Sequence, residues 1–135
     1  MSVDLKMARA GDVLAEVDGP PVDADALRRY AEASGDLNLL HTDREFASRA
    51  GFSDLVVHGM LNMARLGRLV TDGFPPESIR SFSVRFEGVL LAGQATVMRM
   101  SLASRADGVA QLDLLMTTPD ARRIASGAAK ISIPE

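Results

Sequence analysis

The chain has 135 residues, 47% hydrophobic and 24% charged, with a formal net charge of −3 and no cysteine. These values describe one globular domain, residues 1–135, long enough to bury a core, and they exclude a disordered or fibrous chain. The weakly acidic balance excludes the basic footprint of a nucleic-acid binder. The lack of thiols excludes disulfides, thiolate zinc sites and cysteine nucleophiles, and fits a cytoplasmic location.

The opening stretch "MSVDLKMARAGDV" carries Asp4, Lys6 and Arg9 and does not read as a signal peptide. No segment has the apolar length of a membrane span. A first strand is expected over Asp12 to Val17, stopped by Gly19-Pro20-Pro21. Asp23 is a good N-cap for a helix running to about Ser34, with Ala24, Leu27, Tyr30 and Ala31 on its apolar face and Gly35 just past its end. The next residues, "DLNLLH", read as a loop. Thr42-Asp43-Arg44-Glu45 has the form of a capping box, so a short helix is expected from there to about Gly51.

A long helix is expected from Gly59 to Asp72, ended by Gly73, Pro75 and Pro76. Most of its positions are apolar or small. Asn62, Arg65, Arg68 and Asp72 form one narrow polar stripe, read as solvated, and the methionines read as core. So little polar perimeter implies a helix covered on most sides, as by a curved sheet. The sheet follows. "SFSVRFE" alternates with period two and sets Phe82, Val84 and Phe86 on one face. "QATVMRMSL" and "VAQLDLLMT" are two further strands, joined through Asp107-Gly108, a strong hairpin signal. Arg122 to Ile133 supplies the last strand. The reading is an α+β domain whose antiparallel sheet wraps one helix.

The chemistry gathers in the "DLNLLH" loop. Asp36 and His41 would point apart on an α-helix, but a loop between Gly35 and Thr42 can aim both side chains at one point. A carboxylate and an imidazole sharing one water can act as a general acid–base pair. Asn38 between them can hydrogen-bond a side chain or a substrate carbonyl without titrating. The bland alternative is that all three are ordinary turn and capping residues. A metal site is not expected, because two donors and an amide make a poor ligand set and no further His or Cys stands nearby. Gly59 falls in the first turn of the long helix, where free N–H groups and the helix dipole can hold a developing oxyanion. His58 before it reads either as a capping or packing histidine or as a substrate contact at the helix start.

The stretches "YAEASGDLNLLHTDREFA", "AGF" and "VVHGM" resemble the MaoC-like, or hydratase 2, family of (R)-specific enoyl-thioester hydratases and dehydratases. A weaker echo lies in "VRFEGVLLAG". The resemblance implies the hot-dog fold, with the long helix inside a curved antiparallel sheet. It implies that Asp36 and His41 act on the water added to a trans-2-enoyl thioester, that Asn38 and His58 line the site, and that the Gly59 N–H stabilises the thioester oxygen. It also implies a (3R)-3-hydroxyacyl product, a CoA or acyl-carrier-protein substrate, no cofactor, and a homodimer or a heterodimer with a related chain. Leu39 stands where the family usually has proline. Two rival functions are a hot-dog thioesterase and a non-catalytic acyl-binding subunit of a dehydratase.

Overall fold

The expected order of helices and strands recurs in the computed structural model, which describes residues 2–134. Met1 and Glu135, the ends of the expected 1–135 domain, lie outside the described residues. Strand β1 (Val13–Gly19) leads to helix α1 (Ala24–Ser34), a 3₁₀ turn (Leu39–His41) and helix α2 (Arg44–Arg49). Helix α3 (Gly59–Gly73) is followed by strands β2 (Ile79–Phe86), β3 (Thr96–Ala106), β4 (Val109–Thr117) and β5 (Arg123–Ser132). The five strands form one antiparallel sheet in the order β1-β3-β4-β5-β2, so β1 and β2 are its edges.

Local chemistry explains the main boundaries. Asp23 caps α1 by accepting from the Ala26 N–H at 2.8 Å. Gly35 ends it at φ 79°, its N–H returning to the Ala31 carbonyl at 3.0 Å. Asp107 and Gly108 both have positive φ, 55° and 73°, and join the paired residues Ala106 and Val109. That is the two-residue hairpin an Asp-Gly pair favours.

The cap of α2 departs from expectation. Asp43, not Thr42, is the N-cap, its carboxylate accepting from the Phe46 N–H at 3.1 Å. Thr42 instead closes the preceding 3₁₀ turn, its N–H donating to the Leu39 carbonyl at 3.2 Å.

Helix α3 lies on the sheet and buries Leu66, Leu69, Val70 and Gly73 among Leu55, Met100, Leu102, Leu112, Leu114 and Ile131. It is covered on most sides, as expected, and only Met60, Ala64, Arg68 and Asp72 are exposed, along one i, i+4 line. Met60 is 56% exposed, and Phe86 of the neighbouring edge strand is 52% exposed. The reading of the polar stripe as solvated is corrected in part. Arg68 is solvated and pairs with Asp72 at 2.7 Å, but Asn62 is buried at 3% exposure. Arg65 turns inward and donates from Nη2 to the Pro20 carbonyl at 2.9 Å. Desolvation lowers its guanidinium pKa. A Cβ at Gly19 would stand 2.1 Å from the Thr96 hydroxyl oxygen and 2.6 Å from Arg65 Nη2, so only glycine lets β1 pass here.

Candidate active site at the start of the central helix

The loop after α1 is built from its own side chains. The Asp36 N–H donates to the Ser34 hydroxyl at 3.2 Å. Asp36 Oδ1 accepts from the Asn38 N–H at 3.3 Å, and Asn38 Oδ1 accepts from the Leu40 N–H at 3.0 Å. These two side-chain turns do what a helix would do with backbone bonds, and they aim the chain back toward α3. The Asn38 oxygen is thus committed to the loop, which leaves its amide N–H groups for any other contact. The Val56 N–H donates to the Leu40 carbonyl at 2.9 Å and ties the loop to the segment that enters α3.

The turns bring Asp36 and His41 together. His41 Nε2 lies 3.7 Å from Asp36 Oδ2. The imidazole is 8% exposed as a residue, whereas half of the Asp36 side chain meets solvent. His41 Nδ1 is 2.7 Å from the Val56 carbonyl oxygen. A carbonyl only accepts, so Nδ1 carries the hydrogen, and in the neutral ring Nε2 presents its lone pair toward Asp36.

His58 joins them. Its ring stacks on His41 with centroids 3.7 Å apart at 19°, and Tyr30 meets its edge at 4.7 Å and 66°. Its Nε2 is 3.4 Å from the Asp36 carbonyl oxygen. The residue is 1% exposed and makes no side-chain cap on α3. It sits behind the pair and does not open onto solvent, and of the capping and packing readings of His58 its contacts match packing. Burial, and then the neighbouring His41, push its pKa below the usual imidazole value.

The expectation that no further histidine stands near the pair is also corrected. Donor atoms of Asp36, His41 and His58 lie within 4.8 Å of one another. The two imidazoles are stacked nearly parallel, so their in-plane lone pairs run side by side and do not converge as metal ligands do.

Gly59 opens α3 directly after His58. The first bonds of the helix are the Leu61 and Asn62 N–H groups to the His58 carbonyl at 3.1 and 3.2 Å, so the Gly59 and Met60 N–H groups stand ahead of the helical ladder. A Cβ at Gly59 would stand 3.5 Å from the Phe86 ring, an ordinary contact. Packing within the chain therefore does not demand glycine here.

Sequence reasoning missed one feature. His58 Nδ1, Asn62 Oδ1 and Arg65 Nη1 are buried without a hydrogen-bond partner. Their spacing, i, i+4 and i+7, sets them along one side of α3. The signal was the polar stripe itself, read as facing outward.

The sequence pattern of the family described as MaoC like domain matches residues 6–119. The chain is 36% identical over 87 residues to the mitochondrial 3-hydroxyacyl-[acyl-carrier-protein] dehydratase of Arabidopsis thaliana, covering 64% of this chain. It spans 51% of that relative's length, and 3% to 11% of longer curated relatives. The solved (R)-hydratase from A. caviae superposes with a TM-score of 0.83 at 23% identity, covering 96% of this chain and 99% of that one. A chain of the ChsH1-ChsH2 complex from Mycobacterium tuberculosis superposes with a TM-score of 0.82 at 22% identity, covering 95% of this chain and all of that one. These likenesses identify the five-stranded antiparallel sheet and its central helix as the hot-dog fold. A match that takes in the Asp36–His41 loop, the start of α3 and strands β1 to β4 makes the chain a member of the MaoC like domain family.

Proposed function

We propose that this chain is an enoyl-thioester hydratase, and in reverse a 3-hydroxyacyl-thioester dehydratase, acting on a CoA or acyl-carrier-protein thioester without a cofactor. The observation that carries the proposal is the 3.7 Å separation of Asp36 Oδ2 and His41 Nε2. One water oxygen at about 2.8 Å can touch both. The Nδ1–H bond to Val56 leaves the other nitrogen free to take a proton. The 36% identical plant dehydratase and the family match support the same reading.

The reaction follows from these positions. The water oxygen forms a bond to Cβ while the pair takes one of its protons. The π electrons of the double bond move through Cα to the thioester oxygen, where the N–H groups at the start of α3 meet the developing charge. A proton returned from the pair to Cα completes the addition of H and OH. Every step reverses for dehydration. Asn38 shapes the loop by accepting from the Leu40 N–H, and its amide N–H groups are left for a contact with the substrate. The family resemblance assigns the (3R) product.

The active unit is a dimer with a second hot-dog chain, a copy of itself or a related one. Exposed Met60 and Phe86 beside the unpaired edge strand β2 support this. No helix among the described residues is long and apolar enough to cross a membrane, and the cysteine-free composition supports a cytoplasmic location.

The test is loss of the conjugated enoyl absorbance on adding trans-2-enoyl-CoA substrates of graded length, with chiral analysis of the product. Free thiol release without hydration would favour thioester hydrolysis instead. No turnover by the chain alone, with turnover restored by a related chain, would favour a subunit role.

A further inference from the structure

The proposed reaction uses His41 and Asp36 but gives no task to His58, a polar side chain that is only 1% exposed. We propose that His58 is the positioning residue of the pair, holding the Asp36 main chain with its Nε2–H and the His41 ring with its face. This rests on the reading that Asp36 and His41 share the reacting water.

Each member of the pair has few anchors of its own. The hydrogen bond from His41 Nδ1 to the Val56 carbonyl fixes one ring atom and leaves the ring free to swing about that bond. The stack on His58 at 3.7 Å removes that freedom. Among the described residues the Asp36 carboxylate accepts a hydrogen bond only from the Asn38 N–H of its own loop, at 3.3 Å. Its main chain is held by the His58 contact at 3.4 Å, from an element 22 residues away. Tyr30 also packs against the His58 ring, with centroids 4.7 Å apart at 66°, and adds a second aromatic contact to it.

The same contacts fix the protonation state of His58. Its partner is a carbonyl, so Nε2 carries the hydrogen, and Nδ1 is buried without a partner to bond. The titratable groups facing it are Asp36 and His41, with Tyr30 at its edge. Two stacked imidazolium rings would repel, and only His41 reaches the half-exposed carboxylate. His41 is therefore the histidine that exchanges protons, and His58 stays a neutral plate behind it.

The chain has two histidines, which makes the test direct. Long-range ¹H–¹⁵N spectra of the histidine-labelled protein contain two imidazoles, assigned with His58→Gln. The expected spectrum shows His58 as the neutral Nε2–H tautomer and the neutral His41 ring as the Nδ1–H tautomer. His58→Phe keeps a flat ring but loses the N–H. It should lower kcat about 10²-fold, the scale of a misplaced reacting group, with KM little changed. His58→Gln restores a donor at the place of Nε2 and should recover part of that loss. A spectrum showing His58 as the Nδ1–H tautomer or as the cation overturns the proposal. So does a folded His58→Phe protein with wild-type kcat. If His58→Phe does not fold, the wild-type spectrum and the His58→Gln kinetics decide. If the wild-type protein turns over no enoyl thioester, the proposed reaction fails. The positioning claim is then decided separately by the wild-type spectrum, where a neutral Nε2–H tautomer of His58 supports it and an Nδ1–H tautomer or a cation overturns it.

Discussion

Asp36 Oδ2 and His41 Nε2 stand 3.7 Å apart, too far for a direct hydrogen bond and close enough for both to bond one water. The two groups are set for a shared third atom, so neither substitutes for the other. Asp36→Asn and His41→Ala should each lower kcat about 10²–10⁴-fold, the usual contribution of a general acid or base. The double variant should be little worse than either single one, because the pair acts as a unit. Steady-state rates on one enoyl-CoA measure this. Near wild-type turnover by either folded single variant would remove that residue from the chemistry.

Gly59 separates activity from stability. Alanine is favoured over glycine in a helix by about 0.5–1 kcal/mol, and its Cβ would meet the Phe86 ring at an ordinary 3.5 Å. Gly59→Ala should therefore melt no lower than the wild type. The same methyl group would crowd a thioester oxygen approaching the first N–H groups of α3, and kcat/KM should fall about 10²-fold. Equal stability with equal activity would show that the substrate does not approach the helix start.

Much of this arrangement is legible in the sequence. Strand β4, Val109–Thr117, falls on the alternating stretch "VAQLDLLMT", and the Asp-Gly turn before it has the positive φ values that pair favours. The Asp36–His41 loop was legible because Gly35 ends one helix and the residues after it favour turns. What stayed hidden was pairing across sequence distance. His58 lies 17 residues beyond His41, and no local pattern predicts that their rings stack. The direction of the polar stripe on α3 was hidden for a different reason. A periodic pattern marks a polar side but cannot tell solvent from a buried carbonyl such as that of Pro20.

The dimer prediction follows from what one chain leaves uncovered. Met60 and Phe86 are 56% and 52% exposed, and β2 has a partner strand on one side alone. Equilibrium sedimentation should give twice the monomer mass at assay concentration. Introducing charge with Met60→Glu and Phe86→Glu together should shift the protein toward monomer. A wild-type monomer with full activity would contradict the dimer.

The neutral state of His58 makes stability depend on pH. The unfolded chain takes up this proton near its ordinary value of 6.5, and the folded chain takes it up only at lower pH. Between those values the unfolded state binds more protons, so stability falls as pH is lowered through that window. Above it the contribution is whole. Urea midpoints measured from about pH 5 to 8 should show an acid-side loss that is shallower in His58→Asn, where nothing titrates at this position. Parallel curves for the two proteins would mean that His58 is not held neutral.

Leu39 occupies a position already shaped for the proline that its family usually carries. Asn38 before it has φ −59° and ψ 126°, the extended conformation that a residue preceding proline requires. Leu39 is the first residue of the 3₁₀ turn, where φ near −60° suits the pyrrolidine ring. Among the described residues its N–H donates no backbone hydrogen bond, and the side chain is 48% exposed, so little packing is lost. Leu39→Pro should stabilise the protein by about 0.4–1 kcal/mol through reduced freedom of the unfolded chain. The bonds that set the pair involve Asn38, Leu40, His41 and Val56, so turnover should stay close to wild type. Urea unfolding with an unchanged slope and a raised midpoint is the expected result. A lowered midpoint would mean that the turn depends on conformational freedom at position 39, and lost activity at a raised midpoint would mean that the loop must move during turnover.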